Sequence, residues 1–184
     1  MKVLACLAGA LLALSAAAHA TPEQDLARVL RRASGSSNPS VSFLEGIGAL
    51  GDVDLNAAQI RAAVASAPIH PALRPIVDRM QGLQIRGGRV SFSFREAFAL
   101  NLNNRAYAHF GRTAGFQLSG RSLTQFRGFK LSQTPKGLKV APSEIRFGEH
   151  AGVPSAWITV PLLGTHRVPL VEQSAGLSER VRIG

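Results

Sequence analysis

Leu83-Gln84-Ile85-Arg86-Gly87-Gly88-Arg89-Val90-Ser91-Phe92-Ser93-Phe94 carries the clearest structural signal in the chain. Apolar and polar side chains alternate with a period of two on both sides of Gly87-Gly88, and a Gly-Gly pair suits a two-residue hairpin turn. Folding the chain there sets Ile85 opposite Val90 and Leu83 opposite Phe92, all four on one face. The alternation runs on through Phe98 and Leu100 to Leu102, where Asn103 and Asn104 tolerate left-handed backbone and suit a turn.

Further strand-like stretches follow at short spacing: 106–110, 116–118, Phe129 and Leu131, Leu138 and Val140, Ile145 and Phe147, 156–163 and 168–171. Thr134-Pro135-Lys136-Gly137 has proline second and glycine fourth, as a type I turn favours, and Gly164-Thr165 reads as a second tight turn. Pro161 and Pro169 lack the amide proton of a central strand, which puts the last hairpin at a sheet edge.

Upstream of Leu83 the period is helical. Thr21, Pro22 and Gln24 form a capping box with proline at the first helical position. Leu26, Val29 and Leu30 then fall on one face of a basic helix ending near Ala33. A serine-rich loop over 34–40 and an apolar patch over 41–50 of undecided structure come next. Asp54 is expected to cap a second helix over 55–67, stopped by Pro68. Leu73, Ile76, Val77 and Met80 outline a third, with an Arg74–Asp78 pair and Gly82 just past its end. Helices first and antiparallel strands after predict an α+β fold: N-terminal helices followed by a curved antiparallel sheet of about seven or eight strands, wrapping at least one helix.

Residues 1–20 read as a secretory signal peptide: Met1 and Lys2 supply a positive start, an apolar run follows, and Ala18-His19-Ala20 gives the small-x-small site before Thr21. The run falls short of the roughly 20 apolar residues that span a bilayer, and it lacks stop-transfer charges. Cys6 has too few apolar residues before it for a lipobox. The expected product is a single domain, 21–184, periplasmic or secreted. With Cys6 removed it has no disulfide, no thiol nucleophile and no cysteine zinc site.

The chain has a formal net charge of +10, and losing Lys2 takes it to +9, carried mainly by arginine. Guanidinium groups pair bidentately with carboxylate and phosphate, so anionic lipid or polysaccharide are the partners this surface fits. Between Arg105 and Lys139, Tyr107, Phe110, Phe116, Phe126 and Phe129 interleave with basic residues as in a nucleic-acid groove. In strands, however, those rings fall on the core side, so nucleic acid is not expected.

Gly46-Ile47-Gly48-Ala49-Leu50-Gly51 matches the glycine pattern that cradles a pyrophosphate, but no parallel βαβ unit follows it, and no cofactor is expected. No metal is expected either, because His70, His109, His150 and His166 show no ligand spacing. Glu96 is the residue with two readings. On an unbroken strand over 90–102 it shares a face with Phe92, Phe94 and Phe98, and is a ligand group or an acid/base with a raised pKa. If the strand breaks at Arg95-Glu96, the carboxylate stands in water. Glu149 and His150 could supply a base on a loop, or be a solvated turn.

The leading expectation is a non-catalytic binding domain for an anionic amphiphile or envelope polymer. Phe92, Phe94, Glu96 and Phe98 would line an apolar face, with Arg95 and Arg112 at its rim. A hydrolase using Glu96 or Glu149 and His150 is one alternative, and an envelope-assembly partner is the other.

Overall fold

The computed structural model describes residues 20–101 and 106–170. The expected signal peptide and the Asn103-Asn104 turn lie outside these residues, apart from Ala20.

Four helices precede most of the sheet: α1 (Pro22–Ser34), α2 (Pro39–Gly48), α3 (Ala57–Ala65) and α4 (Arg74–Val77). The α1 start follows the expected box, with the Thr21 backbone N–H donating to Gln24 Oε1 at 3.0 Å and Pro22 opening the helix. The undecided patch is α2, and its first turn reaches into the expected serine loop because Asn38 caps it, accepting from Val41 N at 3.3 Å.

Two helix expectations are corrected. Asn56, not Asp54, caps α3. Its Oδ1 accepts from Ala58 N at 2.9 Å and Gln59 N at 3.0 Å, while Gln59 Oε1 accepts from Asn56 N at 3.1 Å. The Asp54 segment is instead the first strand, β1 (Val53–Asn56), since Val53 and Leu55 alternate inward as an edge strand requires. The third helix shrinks to the single turn α4, with Pro75 in that turn. Met80 opens the strand β2 (Met80–Arg86), which also takes in Gly82.

The other strands are β3 (Arg89–Phe94), β4 (Phe98–Asn101), β5 (Tyr107–Ser119), β6 (Ser122–Ser132), β7 (Glu144–His150), β8 (Val153–Val160) and β9 (Gly164–Pro169). They form one curved, open antiparallel sheet of nine strands among the described residues, in the order β1-β2-β3-β5-β6-β7-β8-β9 with β4 also on β5. The α+β expectation holds. The β2–β3 register is the expected one, Leu83 facing Phe92 and Ile85 facing Val90. The separate strands expected at 106–110 and 116–118 are one strand, β5, kept continuous by an irregularity that sets Gly111 to Ala114 against Gly128 alone. Gly128 is required there: its φ is +60°, and a Cβ would lie 1.8 Å from the Thr113 carbonyl oxygen. The last hairpin is at the sheet edge as expected, but its turn is Pro161-Leu162-Leu163, with Gly164 already in β9.

The helices cover only part of the inner face. Leu26 and Leu30 of α1, Ile47 of α2 and Ile60 of α3 pack with Leu55, Leu83, Ile85, Val90, Phe92, Phe94 and Phe98 in the main core. Gly46 lets α1 and α2 approach, since a Cβ there would meet Val29 Cγ1 at 2.6 Å. Across β6 to β8 the inner face carries a smaller cluster, Leu123, Ile145 and Ala156. Phe126, Phe129, Phe147 and Ile158 pack against it and are only half-buried, and Leu44 is the helical residue among its packing partners.

Candidate functional site

Consecutive strand residues face opposite sides of the sheet, and this sorts the sequence candidates. Phe92, Phe94 and Phe98 are buried beneath the helices in a linked set of rings. Phe92 stacks with Phe94 at 5.9 Å, and Phe94 meets Phe98 edge-on at 5.0 Å. Arg95 and Glu96 lie in the break between β3 and β4, and both are exposed. The strand therefore does not run unbroken through 90–102. Phe98 recovers the inner face while the Glu96 carboxylate stands in water, away from the three rings. Arg112 is exposed in the β5 irregularity.

Glu149 and His150 end β7 beside the tight turn Ala151-Gly152, whose φ angles are +50° and +76°. Both side chains are exposed, and adjacent strand positions project to opposite faces, so they do not converge on one bound molecule. Gly46 and Gly48 lie inside α2 rather than in a loop before a helix. They pack against Val29 and Leu118, so no phosphate cradle forms.

One titratable pair was not singled out by sequence. His109 on β5 and Ser132 on β6 are both buried, with Nε2 2.7 Å from Oγ. Ser132 donates its hydroxyl proton to the Thr134 carbonyl at 2.6 Å, which leaves the His109 Nε2–H as donor to Ser132. Burial, aided by the charge of Lys139, holds the His109 pKa below its usual range near 6.5. With its proton committed to a carbonyl, Ser132 is not activated as a nucleophile, since an activated serine gives that proton to the base. Among the described residues no group of three or more His, Cys, Asp or Glu side chains is placed to hold a metal ion.

What remains is an arrangement of surfaces. The half-buried rings Phe126, Phe129 and Phe147, with Ile158, form an apolar strip on the inner face that the helices leave partly open. At one margin, the Arg121 carbonyl accepts from Phe147 N at 2.9 Å, and its guanidinium pairs with Glu45 at 2.9 Å. Arg32, Arg121, Asn38, Ser42 and Glu45, with Val41, line a largely polar concavity of about 350 Å³ between α1, α2 and the β5–β6 turn. The outer face is polar. Arg86 and Arg89 stand opposite each other on β2 and β3, and with Gln84, Ser91 and Gln117 they line a shallow hollow of about 280 Å³. Arg127, Arg146 and Arg167 project from the same side.

No known family, curated protein or solved structure matches this chain.

The sequence already puts Phe126 and Phe129 on the core side, and both face inward although three positions apart, because Gly128 with φ +60° interrupts the alternation between them. What it lacked was any sign of which half of the sheet the helices cover.

Proposed function

We infer that the chain is an exported, non-catalytic domain that binds an anionic amphiphile on the open half of its inner sheet face. The observation that carries this reading is the uneven helix cover, which buries Phe92, Phe94 and Phe98 but leaves Phe126, Phe129, Phe147 and Ile158 half-buried. Half-exposed aromatic rings in a contiguous strip are what an acyl chain can cover with gain, at about 25 cal/mol for each Å² removed from water. The concavity beside Phe147 supplies hydrogen-bond donors for a headgroup. Arg32 there makes no ion pair among the described residues, whereas Arg121 is held by Glu45.

The test is uptake of a dansyl-labelled fatty acid by the full chain. Wild type is expected to enhance dansyl emission. Phe147→Asp, which puts a charge on the strip, should abolish uptake while leaving a cooperative melt. Phe147→Leu should restore part of it. A folded wild type that takes up no labelled fatty acid removes this reading.

A further inference from the structure

The β8–β9 hairpin ends in Pro161-Leu162-Leu163, and its two leucines face water: Leu162 is 105 % and Leu163 62 % exposed. Leu162 also holds a φ of +66°, a backbone region that glycine or asparagine occupies at lower strain. The turn is fixed rather than frayed. Leu163 N donates to the Val160 carbonyl at 3.1 Å, the His166 ring N–H donates to the Leu163 carbonyl at 3.0 Å, and the hydroxyls of Thr159 and Thr165 meet at 2.9 Å. Strain and apolar exposure thus coincide at one convex point, with nothing in the described fold to offset either.

Behind the tip, on the outer face, Trp157 stands between Arg146 on β7 and Arg167 on β9. The Arg146 guanidinium lies 5.7 Å from the indole centroid, and Arg167 Nη1 donates to Ser155 Oγ at 3.3 Å. Three strand positions separate Trp157 and Arg167 from Val160 and Gly164, about 10 Å along the hairpin. From tip to base the order is therefore two leucines, then threonine hydroxyls, then an indole flanked by guanidinium groups. Hydrocarbon edge, ester region and phosphate layer of a bilayer surface follow in the same order over a similar depth.

We propose that the β8–β9 hairpin is a bilayer anchor: Leu162 and Leu163 enter the hydrocarbon edge of an anionic membrane, and Trp157, Arg146 and Arg167 sit among its phosphates. The formal charge of +10 favours an anionic surface and disfavours a second copy of the chain. The anchor is separate from the inner-face strip and stands whether or not that strip carries an amphiphile.

Trp157 is the single tryptophan of the chain, so its emission reports on the anchor directly. The full chain is mixed with vesicles of phosphatidylcholine containing phosphatidylglycerol, and with vesicles of phosphatidylcholine alone. Emission should shift to the blue, and the protein should sediment with the anionic vesicles. The double variant Leu162→Asp/Leu163→Asp should lose about a hundredfold or more in partitioning, the size expected for removing two buried leucines. It should keep the wild-type melt and the wild-type uptake of dansyl fatty acid measured without vesicles. Leu162→Gly, which relieves the backbone, should melt no lower than wild type and bind vesicles less. Wild type that ignores anionic vesicles overturns the proposal, as does a double variant that binds them equally. So does a double variant whose loss of binding accompanies dissociation of a dimer, since the tip would then serve a second copy. Vesicle binding without fatty-acid uptake sinks only the inner-face reading.

Discussion

His109 and Ser132 form a buried hydrogen-bonded pair across the β5–β6 ladder, 2.7 Å from Nε2 to Oγ, with the Ser132 hydroxyl donating a hydrogen bond to the Thr134 carbonyl. The chain of bonds uses the neutral, Nε2-protonated imidazole, and burial opposes a second proton. The folded-state pKa is therefore below the unfolded value of about 6.5. An unfolded chain binds this proton more readily than the folded one. The stability the pair contributes is present above about pH 6.5 and is lost as pH falls from there through the folded-state pKa. Thermal melts between neutral and mildly acidic pH should show that decline. His109→Gln, which keeps a donor but cannot titrate, should flatten it. A His109→Gln profile with the same slope as wild type would remove His109 as the source.

Phe92 and Phe147 separate core from open strip. Phe92 is 6 % exposed and touches Phe94 and Phe116, so Phe92→Ala should cost roughly 3–5 kcal/mol in denaturant unfolding, as large-to-small changes in packed cores do. Phe147 is half-buried, and Phe147→Ala should cost clearly less. Equal losses at the two positions would mean that the strip is packed as tightly as the core.

These two phenylalanines also show where sequence reading stops. Period-two alternation gave the β2–β3 register to the residue, because only one register puts Leu83, Ile85, Val90 and Phe92 on one face. Thr21 and Gln24 marked the α1 start because capping is local. Asp54 and Asn56 are both capping residues, and local sequence does not separate them, because the choice turns on β1 pairing with β2 thirty residues away in sequence. Phe92 and Phe147 look alike in sequence, each a ring among polar neighbours. What distinguishes them is that Phe92 lies in the main core with side chains of α1, α2 and α3, whereas Phe147 packs on the smaller cluster, which only Leu44 of the described helices reaches.

Of the two β5–β6 irregularities, the one that sets Gly111 to Ala114 against Gly128 rests on one glycine. A Cβ on Gly128 would overlap the Thr113 carbonyl oxygen, and its φ of +60° strains any other residue. Gly128→Ala should destabilise the fold by at least about 1–3 kcal/mol, the cost of left-handed backbone, with steric displacement added. Gly120, also at positive φ but with open space around its missing Cβ, is the control and should lose less as Gly120→Ala. Equal losses would show that backbone conformation alone, without the close approach, sets the cost.

Arg86 and Arg89 face each other directly across the first hairpin, a placement that repels in the absence of a counter-charge. Asp54 lies 3.8 Å from Arg86, but Arg89 has no ion pair among the described residues, and Gln84, Ser91 and Gln117 around them are neutral. The folded domain alone would be better served by a neutral residue at position 89. An anionic surface against the outer face would reverse that balance, because two guanidinium groups a strand apart can share one phosphate or carboxylate. Arg89→Gln should therefore raise the melting temperature at low ionic strength and weaken adsorption to anionic vesicles in the same buffer. Exposed charges are screened beyond about 10 Å at 0.1 M salt and about 3 Å at 1 M, so both differences should shrink together as salt is added. A variant that melts higher yet adsorbs as well as wild type would assign the repulsion no role in binding. One that adsorbs less at every salt concentration would point to a contact other than charge.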